Sequence, residues 1–204
     1  MIKKFLKESF KDVRSSKRTD VLHDAIIDSL ITVNPYMRNY NWEVEHAVED
    51  GYQLPKENKR KKKFKIDIVG RCKKTNTVKI CVLAKAMNSS IGKNFQNYTN
   101  TTIGEAARVM FSPEIGHSVE KVLFVSFYPR VAPTFDKNGV VKGLERSAVN
   151  KPKIDHILNS LYNGIVKVVD VPYDIRNIES LSCARDFESI EVDNIEMEAM
   201  RIYE

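Results

Sequence analysis

The sequence predicts an α/β domain whose central mixed sheet is flanked by helices, in the order helix, strand, strand, strand, helix, strand. Three observations carry this. "TDVLHDAIIDSLITVN" (19–34) places Leu22, Ile26, Ile27, Leu30 and Val33 at helical spacing. "FKIDIV" and "VKICVLAKA" change to the two-residue period of strands, joined by the turn "KKTNT". "KVLFVSFYP" (121–129) is almost continuously apolar, as expected of a strand covered on both faces.

The elements follow in order. "MIKKFLKESFKDV" spaces Ile2, Phe5, Leu6 and Phe10 between charges, which predicts an amphipathic helical segment over 1–18 rather than a signal peptide. The first core helix covers 19–34, with Thr19 or Asp20 as N-cap and Pro35 beyond its end. "NWEVEHAVED" then reads as a first strand, with Trp42, Val44 and Val48 on one face and Glu43, Glu45 and Glu49 on the other. Strands from "FKIDIVGR" and "VKICVLAKA" complete an antiparallel meander. A polar stretch, 87–102, leads to a short helix at "IGEAARVMF", and the apolar strand follows. The region 130–150 reads as loop with a turn at "DKNGV", "KIDHILNSLYN" as a helix, and "IVKVVDVPYD" as a last core strand.

At 204 residues the chain suits a single domain, with a core over 19–174 and an acidic C-terminal segment over 175–204. The composition is 42% hydrophobic and 29% charged, and no apolar run reaches the roughly 20 residues of a membrane span. Three cysteines without a CxxC pattern and four scattered histidines argue against a zinc site or a disulfide framework. A cytoplasmic protein with no membrane association is expected. The charge is unevenly spread: "KENKRKKKFK" (56–65) holds seven Lys/Arg against one acid, whereas 186–204 holds seven acids and one Arg. A basic middle of this kind points to an anionic partner.

Alternation puts Lys79, Cys81, Leu83 and Lys85 on one face of the third strand, and Asp67 on the face opposite Phe64, Ile66 and Ile68 of the second. A carboxylate and an ammonium meeting in one cleft are what phosphodiester hydrolysis needs. A hard cation sits on carboxylate oxygens, and a lysine steadies charge on the scissile phosphate.

On "KIDIV", "ICVLAKA" and the element order over about residues 19–129, the chain resembles the PD-(D/E)xK nuclease superfamily. That resemblance implies a restriction-endonuclease-like core, Mg²⁺ dependence and cleavage of DNA by an endonuclease of the type II restriction kind. Asp67 takes the place of its metal-binding aspartate and Lys85 that of its catalytic lysine. The superfamily's second acid stands two residues before the lysine, where this chain has Leu83. Three accounts stay open: an acid supplied by another element, an inactive DNA-binding protein on the same fold, or an altered residue in this chain. For the first, Glu45 is expected to join Asp67 in holding the metal, with Glu105 in reserve. Taken alone, Glu43, Glu45 and Glu49 read equally as the wet face of an exposed strand.

Contacts to double-stranded DNA are expected from Lys61, Lys62 and Lys63 of the basic run, whose affinity would fall steeply with salt. In "NSSIGKNFQNYTN", Asn88, Asn94, Gln96 and Asn97 offer paired amide groups suited to adenine edges and Lys93 a phosphate contact, although a polar loop capping the next helix reads as well. A homodimer is the economical way to cut both strands of a palindrome.

Overall fold

The computed structural model describes the chain except for residues 1, 11–16, 53–61, 90, 148–150, 184–185, 187–188 and 203–204. The side chains of 17–18, 93–95 and 151–153 are likewise not described. Lys61 and the side chains of Lys93 and Asn94 therefore fall outside the described residues.

Three helices open the chain: α1 (Ile2–Ser9), α2 (Lys17–Asp20) and α3 (His23–Val33). Next come β1 (Tyr40–Glu49), β2 (Lys63–Cys72) and β3 (Val78–Ala86), then α4 (Ile91–Met110) and β4 (Lys121–Pro129). A hairpin of β5 (Val131–Phe135) and β6 (Val141–Arg146) precedes α5 (Lys151–Tyr162), β7 (Val166–Ile175) and the short β8 (Val192–Asp193). The main sheet runs β1-β2-β3-β4-β7-β8. β1, β2 and β3 pair antiparallel, as the meander predicts. β3, β4 and β7 pair parallel, so the sheet is mixed.

The alternation of β3 places its two faces in two different cores. Ile80, Val82, Ala84 and Ala86 pack with Leu6 of α1 and Ile26 and Leu30 of α3. Cys81 and Leu83 pack with Tyr98, Ala106 and Val109 of α4 and Leu158 of α5. The apolar strand β4 divides in the same way: Leu123, Val125 and Phe127 face α1 and α3, while Val122 and Phe124 face α4 and α5. Coverage on both faces is why that strand carries no polar alternation. The acidic C-terminal segment belongs to the same domain, since Ile190, Val192, Met200 and Ile202 complete the first core.

Five elements differ from the expectation. The first core helix begins at His23 with Leu22 at its N-cap, after a separate α2, rather than at a cap on Thr19 or Asp20. In β2, Phe64 and Ile66 join the second core and Ile68 the first, so the three do not share one face. α4 is one helix of 20 residues rather than a polar stretch with a short helix after it. Among the described side chains of its N-terminal half, Ile91, Tyr98 and Thr102 are the buried ones, and little apolar period shows in the sequence. Within 130–150 the chain forms the β5–β6 hairpin, its turn closed by backbone N–H groups of Asn138 and Val140 donating to Asp136 Oδ1. β1 does not keep one apolar face. Glu45 has φ 57°, a left-handed conformation that breaks the pleat. Trp42 packs against the core beneath α3, Val48 enters the core beneath α4, and Val44 between them is 47% exposed.

Candidate active site

Asp67 stands where β2 parts from β3. The ladder between the two strands covers Ile68–Val82 to Arg71–Val78 and does not extend to Asp67. In its place the Asp67 side chain takes the ladder bond: the backbone N–H of Ala84 donates to Asp67 Oδ2 at 2.7 Å. A short aspartate thus substitutes for a backbone carbonyl and is held at the mouth of the gap. On the strand next to it, β1 has its break at Glu45, between the registered pairs Val44–Ile68 and His46–Ile66.

Lys85 lies two positions beyond Leu83 on the β3 face that looks toward α4. From α4, Glu105 reaches down to it, with Oε2 at 4.0 Å from Lys85 Nζ. Both carboxyls are held above their ordinary values. Burial is the main cause for Asp67, opposed by the Ala84 hydrogen bond. Burial is also the main cause for Glu105, where the charge of Lys85 opposes the rise and that of Asp67 adds to it. Two acids and a lysine therefore share one electrostatic environment at the open end of the β2–β3 gap.

Side chains beyond these extend the row from the end of β3 across the middle of the neighbouring parallel strands. Lys85 is in register with Ser126 of β4, and Ser126 with Asp170 of β7. Tyr98 of α4 lies over this row. Its hydroxyl is 2.5 Å from Ser126 Oγ, and Lys85 Nζ stands 5.9 Å from its ring centre. Burial pushes the Tyr98 hydroxyl far above its usual value, and the charge of Asp170 adds to the effect. Sequence reasoning passed over Ser126 and Asp170, and read Tyr98 only as a residue that could pack against a nucleic-acid sugar or base. The signal was there in part, because Ser126 and Asp170 are the polar interruptions of two otherwise apolar runs. A second set of charges flanks Asp67 from below: Asp20, His23 and Lys65 all act on its carboxyl.

Glu45 stands between the registered pairs that flank Asp67, but its carboxylate is turned to a lysine. Its carboxylate pairs with Lys65 Nζ at 2.8 Å on the exposed surface, and its side chain is 47% exposed. The expectation that Glu45 joins Asp67 in holding a metal rested on strict alternation in β1, which the left-handed residue at Glu45 itself removes. Glu105, held in reserve by the sequence, is the second acid beside Lys85. Leu83 is buried at 5% exposure in the α4 core, which accounts for an apolar residue at that position.

The expected DNA contacts are scattered. Lys62 and Lys63 lie exposed where β2 begins, while Gln96 and Asn97 lie exposed on the first half of α4. Asn88 is corrected: it is 1% exposed, and its amide Nδ2 donates to Ser9 O at 2.8 Å and Ser9 Oγ at 3.1 Å. Fixed in this way, it ties the end of β3 to α1 and presents no free edge to a duplex major groove.

Asp67 and Glu105 suit a hard divalent cation, since buried carboxylates that resist ionisation gain from a neutralising ion. Among the described residues no group of three or more His, Cys, Asp or Glu side chains gathers as a metal site. Two carboxylates with water and a substrate phosphate are the usual environment of Mg²⁺, which does not require an all-protein cage.

No protein-family model and no curated protein matches the chain. Among solved structures it is similar to protein VC1899 from Vibrio cholerae, at 8% identity and a TM-score of 0.40. That similarity covers 93% of this chain and 36% of the Vibrio cholerae chain. Among the described residues no helix is long and apolar enough to cross a membrane.

Proposed function

We propose that this chain is a Mg²⁺-dependent endonuclease that hydrolyses phosphodiester bonds in DNA, built on a restriction-endonuclease-like core. The observation that carries the reading is Glu105, an acid brought from α4 to within 4.0 Å of Lys85 and into the field of Asp67. It supplies the carboxylate that Leu83 does not.

In this reading Asp67 and Glu105 hold the metal, which would polarise the scissile phosphate and lower the pKa of the attacking water. Asp67 is prepared for the task by the Ala84 N–H, which fixes one carboxylate oxygen and leaves the other for the ion. Lys85 is half-buried and steadied by the ring of Tyr98. It places a positive charge where negative charge grows on the phosphate. The exposed Lys62 and Lys63 extend a positive surface for the backbone of double-stranded DNA. A homodimer is the form that cuts two strands symmetrically.

The test is cleavage of supercoiled and linear DNA by the purified chain in Mg²⁺ or Mn²⁺. Asp67→Asn and Lys85→Ala are each expected to lower the rate by about 10²–10⁴-fold, while binding to duplex in Ca²⁺ is retained. A parent protein that binds DNA and never cleaves in either metal is a DNA-binding protein on the same fold. Preferential cleavage of RNA would move the substrate class. Sedimentation with and without DNA reads the dimer.

A further inference from the structure

Where β1 ends, the chain turns onto α4 through Gly51. A Cβ at that position would stand 2.7 Å from Arg108 O, so only glycine allows the approach, and the Gly51 N–H donates to the same oxygen. The next residue, Tyr52, is fixed at three points. Its N–H donates to Asp50 Oδ1 at 3.0 Å, its hydroxyl donates to Gly104 O at 2.8 Å, and the Arg108 guanidinium lies over its ring, 5.2 Å from the centre. Arg108 is held in turn by Asp50 Oδ2 at 3.7 Å and lies over the buried ring of Phe64 at 5.4 Å. An exposed ring is usually a mobile one, and a ring with this many restraints usually lies in a core. Tyr52 is restrained and yet 54% exposed.

We propose that the Tyr52 ring, on the face turned away from Arg108, is a stacking platform for an unpaired base in the DNA strand that the active site engages. The inference rests on the nuclease reading and deepens it by naming the form of the strand. Position supports it. Gly104, which holds the Tyr52 hydroxyl, precedes Glu105, and the charge of Arg108 acts on the Glu105 carboxyl. The ring and the acid beside Lys85 thus share one stretch of α4. Energetics supports it as well, because a ring already immobilised loses no freedom when a base stacks on it. Charge at this corner is mixed. Lys62 and Lys63 lie exposed, and Lys62 O accepts the Asp50 N–H, while Glu49 and Glu114 stand at the same end of β1. Stacking rather than phosphate attraction therefore carries the affinity. Every base has a π-face, so the platform tolerates sequence, but a paired base has both faces covered by its neighbours and is excluded.

The experiment measures binding of the full chain to fluorescently labelled oligo-dT and to a duplex of the same length, in Ca²⁺ and over a series of salt concentrations. Tyr52→Leu keeps apolar bulk and loses the ring. It should weaken oligo-dT binding about tenfold and leave duplex binding as in the parent. The slope of log affinity against log salt should not change, since no charge is removed. Tyr52→Phe keeps the ring and loses only the bond to Gly104, so it should bind oligo-dT like the parent. A tyrosine that merely pins the corner of β1 to α4 would make the two variants alike. Tyr52→Trp adds an indole to that of Trp42, and oligo-dT should quench the added fluorescence. Oligo-dT affinity untouched in Tyr52→Leu, equal losses in Tyr52→Leu and Tyr52→Phe, an equal loss of duplex binding, or an unquenched indole overturns the platform and leaves cleavage as a separate result. A parent that does not bind oligo-dT overturns it too. Ring-dependent oligo-dT binding in a chain that never cleaves in Mg²⁺ or Mn²⁺ overturns the nuclease reading and keeps the platform.

Discussion

Glu45 and Glu105 are the same side chain on two different supports. Glu45 sits on β1, the edge strand of the main sheet, in a left-handed conformation with its carboxylate bonded to Lys65 in solvent. Glu105 sits in the second half of α4, over the second core, with its side chain 23% exposed and Lys85 as its partner. The direction of their titration follows from this. The Lys65 hydrogen bond lowers the Glu45 carboxyl, whereas burial raises that of Glu105. A carboxylate already satisfied by a lysine in water has little to gain from a cation. One kept from water by a helix and set near a second acid has much to gain, and this difference in environment, more than proximity in sequence, separates a site residue from a surface residue.

The strongest way to break the comparison is to put an acid where the superfamily pattern has one. Leu83→Glu would complete that pattern, yet Leu83 packs against Cys81, Phe124 and Tyr98 in the α4 core. Truncation of such a leucine costs about 2–5 kcal/mol, and a buried carboxylate adds its desolvation. At roughly 2–4 °C per kcal/mol for a chain of this size, the melting temperature should fall by about 10 °C or more, with no gain in cleavage. A stable, more active Leu83→Glu protein would show that Glu105 is not the working acid.

A smaller effect sharpens the contrast through pH. Because Glu105 titrates above its ordinary value when folded, the folded state holds its proton at a pH where the unfolded chain has lost it. Its contribution to stability is thus complete below the unfolded value and is lost as pH rises through the folded one. Glu105→Gln should therefore raise the melting temperature more at about pH 8 than at about pH 4. Mg²⁺ should stabilise the parent and leave the variant unchanged, since a ligand that binds only the native ionised site adds to stability by mass action. A gain independent of pH, or an equal response to Mg²⁺, would place the carboxylate outside any cation site. Cleavage should also rise with pH over the same range, as Asp67 and Glu105 release their protons to solvent and become available as carboxylates to a cation.

How far the sequence could be read depended on which residues kept a simple period. β3 kept it from Ile80 onward: after a register shift between Val78 and Ile80, "ICVLAKA" alternates between two cores, so the face shared by Leu83 and Lys85 was legible. β1 did not, because one left-handed residue at Glu45 divides Trp42 from Val48, and no local signal such as Gly or Asn marks the position. The first half of α4 was hidden by its weak apolar period, and with it the length of helix that carries Glu105 to Lys85. Asp170 and Ser126 became neighbours of Lys85 only through the parallel register of β3, β4 and β7. That strand order is a long-range property which no window of sequence contains.

The smallest expected effect belongs to Glu45. Glu45→Gln removes one partner of an ion pair whose two side chains are 47% and 54% exposed, and water with its ions can replace that partner at little cost. The Lys65 ammonium, raised by its bond to Glu45, should drift back toward its ordinary value, which leaves it charged at neutral pH. Lys65 also acts on Asp67, so a slight change in the pH dependence of cleavage is the furthest consequence that the contacts allow. Cleavage in Mg²⁺ and binding of duplex in Ca²⁺ should match the parent. Loss of cleavage in Glu45→Gln, with Glu105→Gln active, would invert the comparison: the edge strand would carry the second acid, and the carboxylate over Lys85 would serve the fold alone.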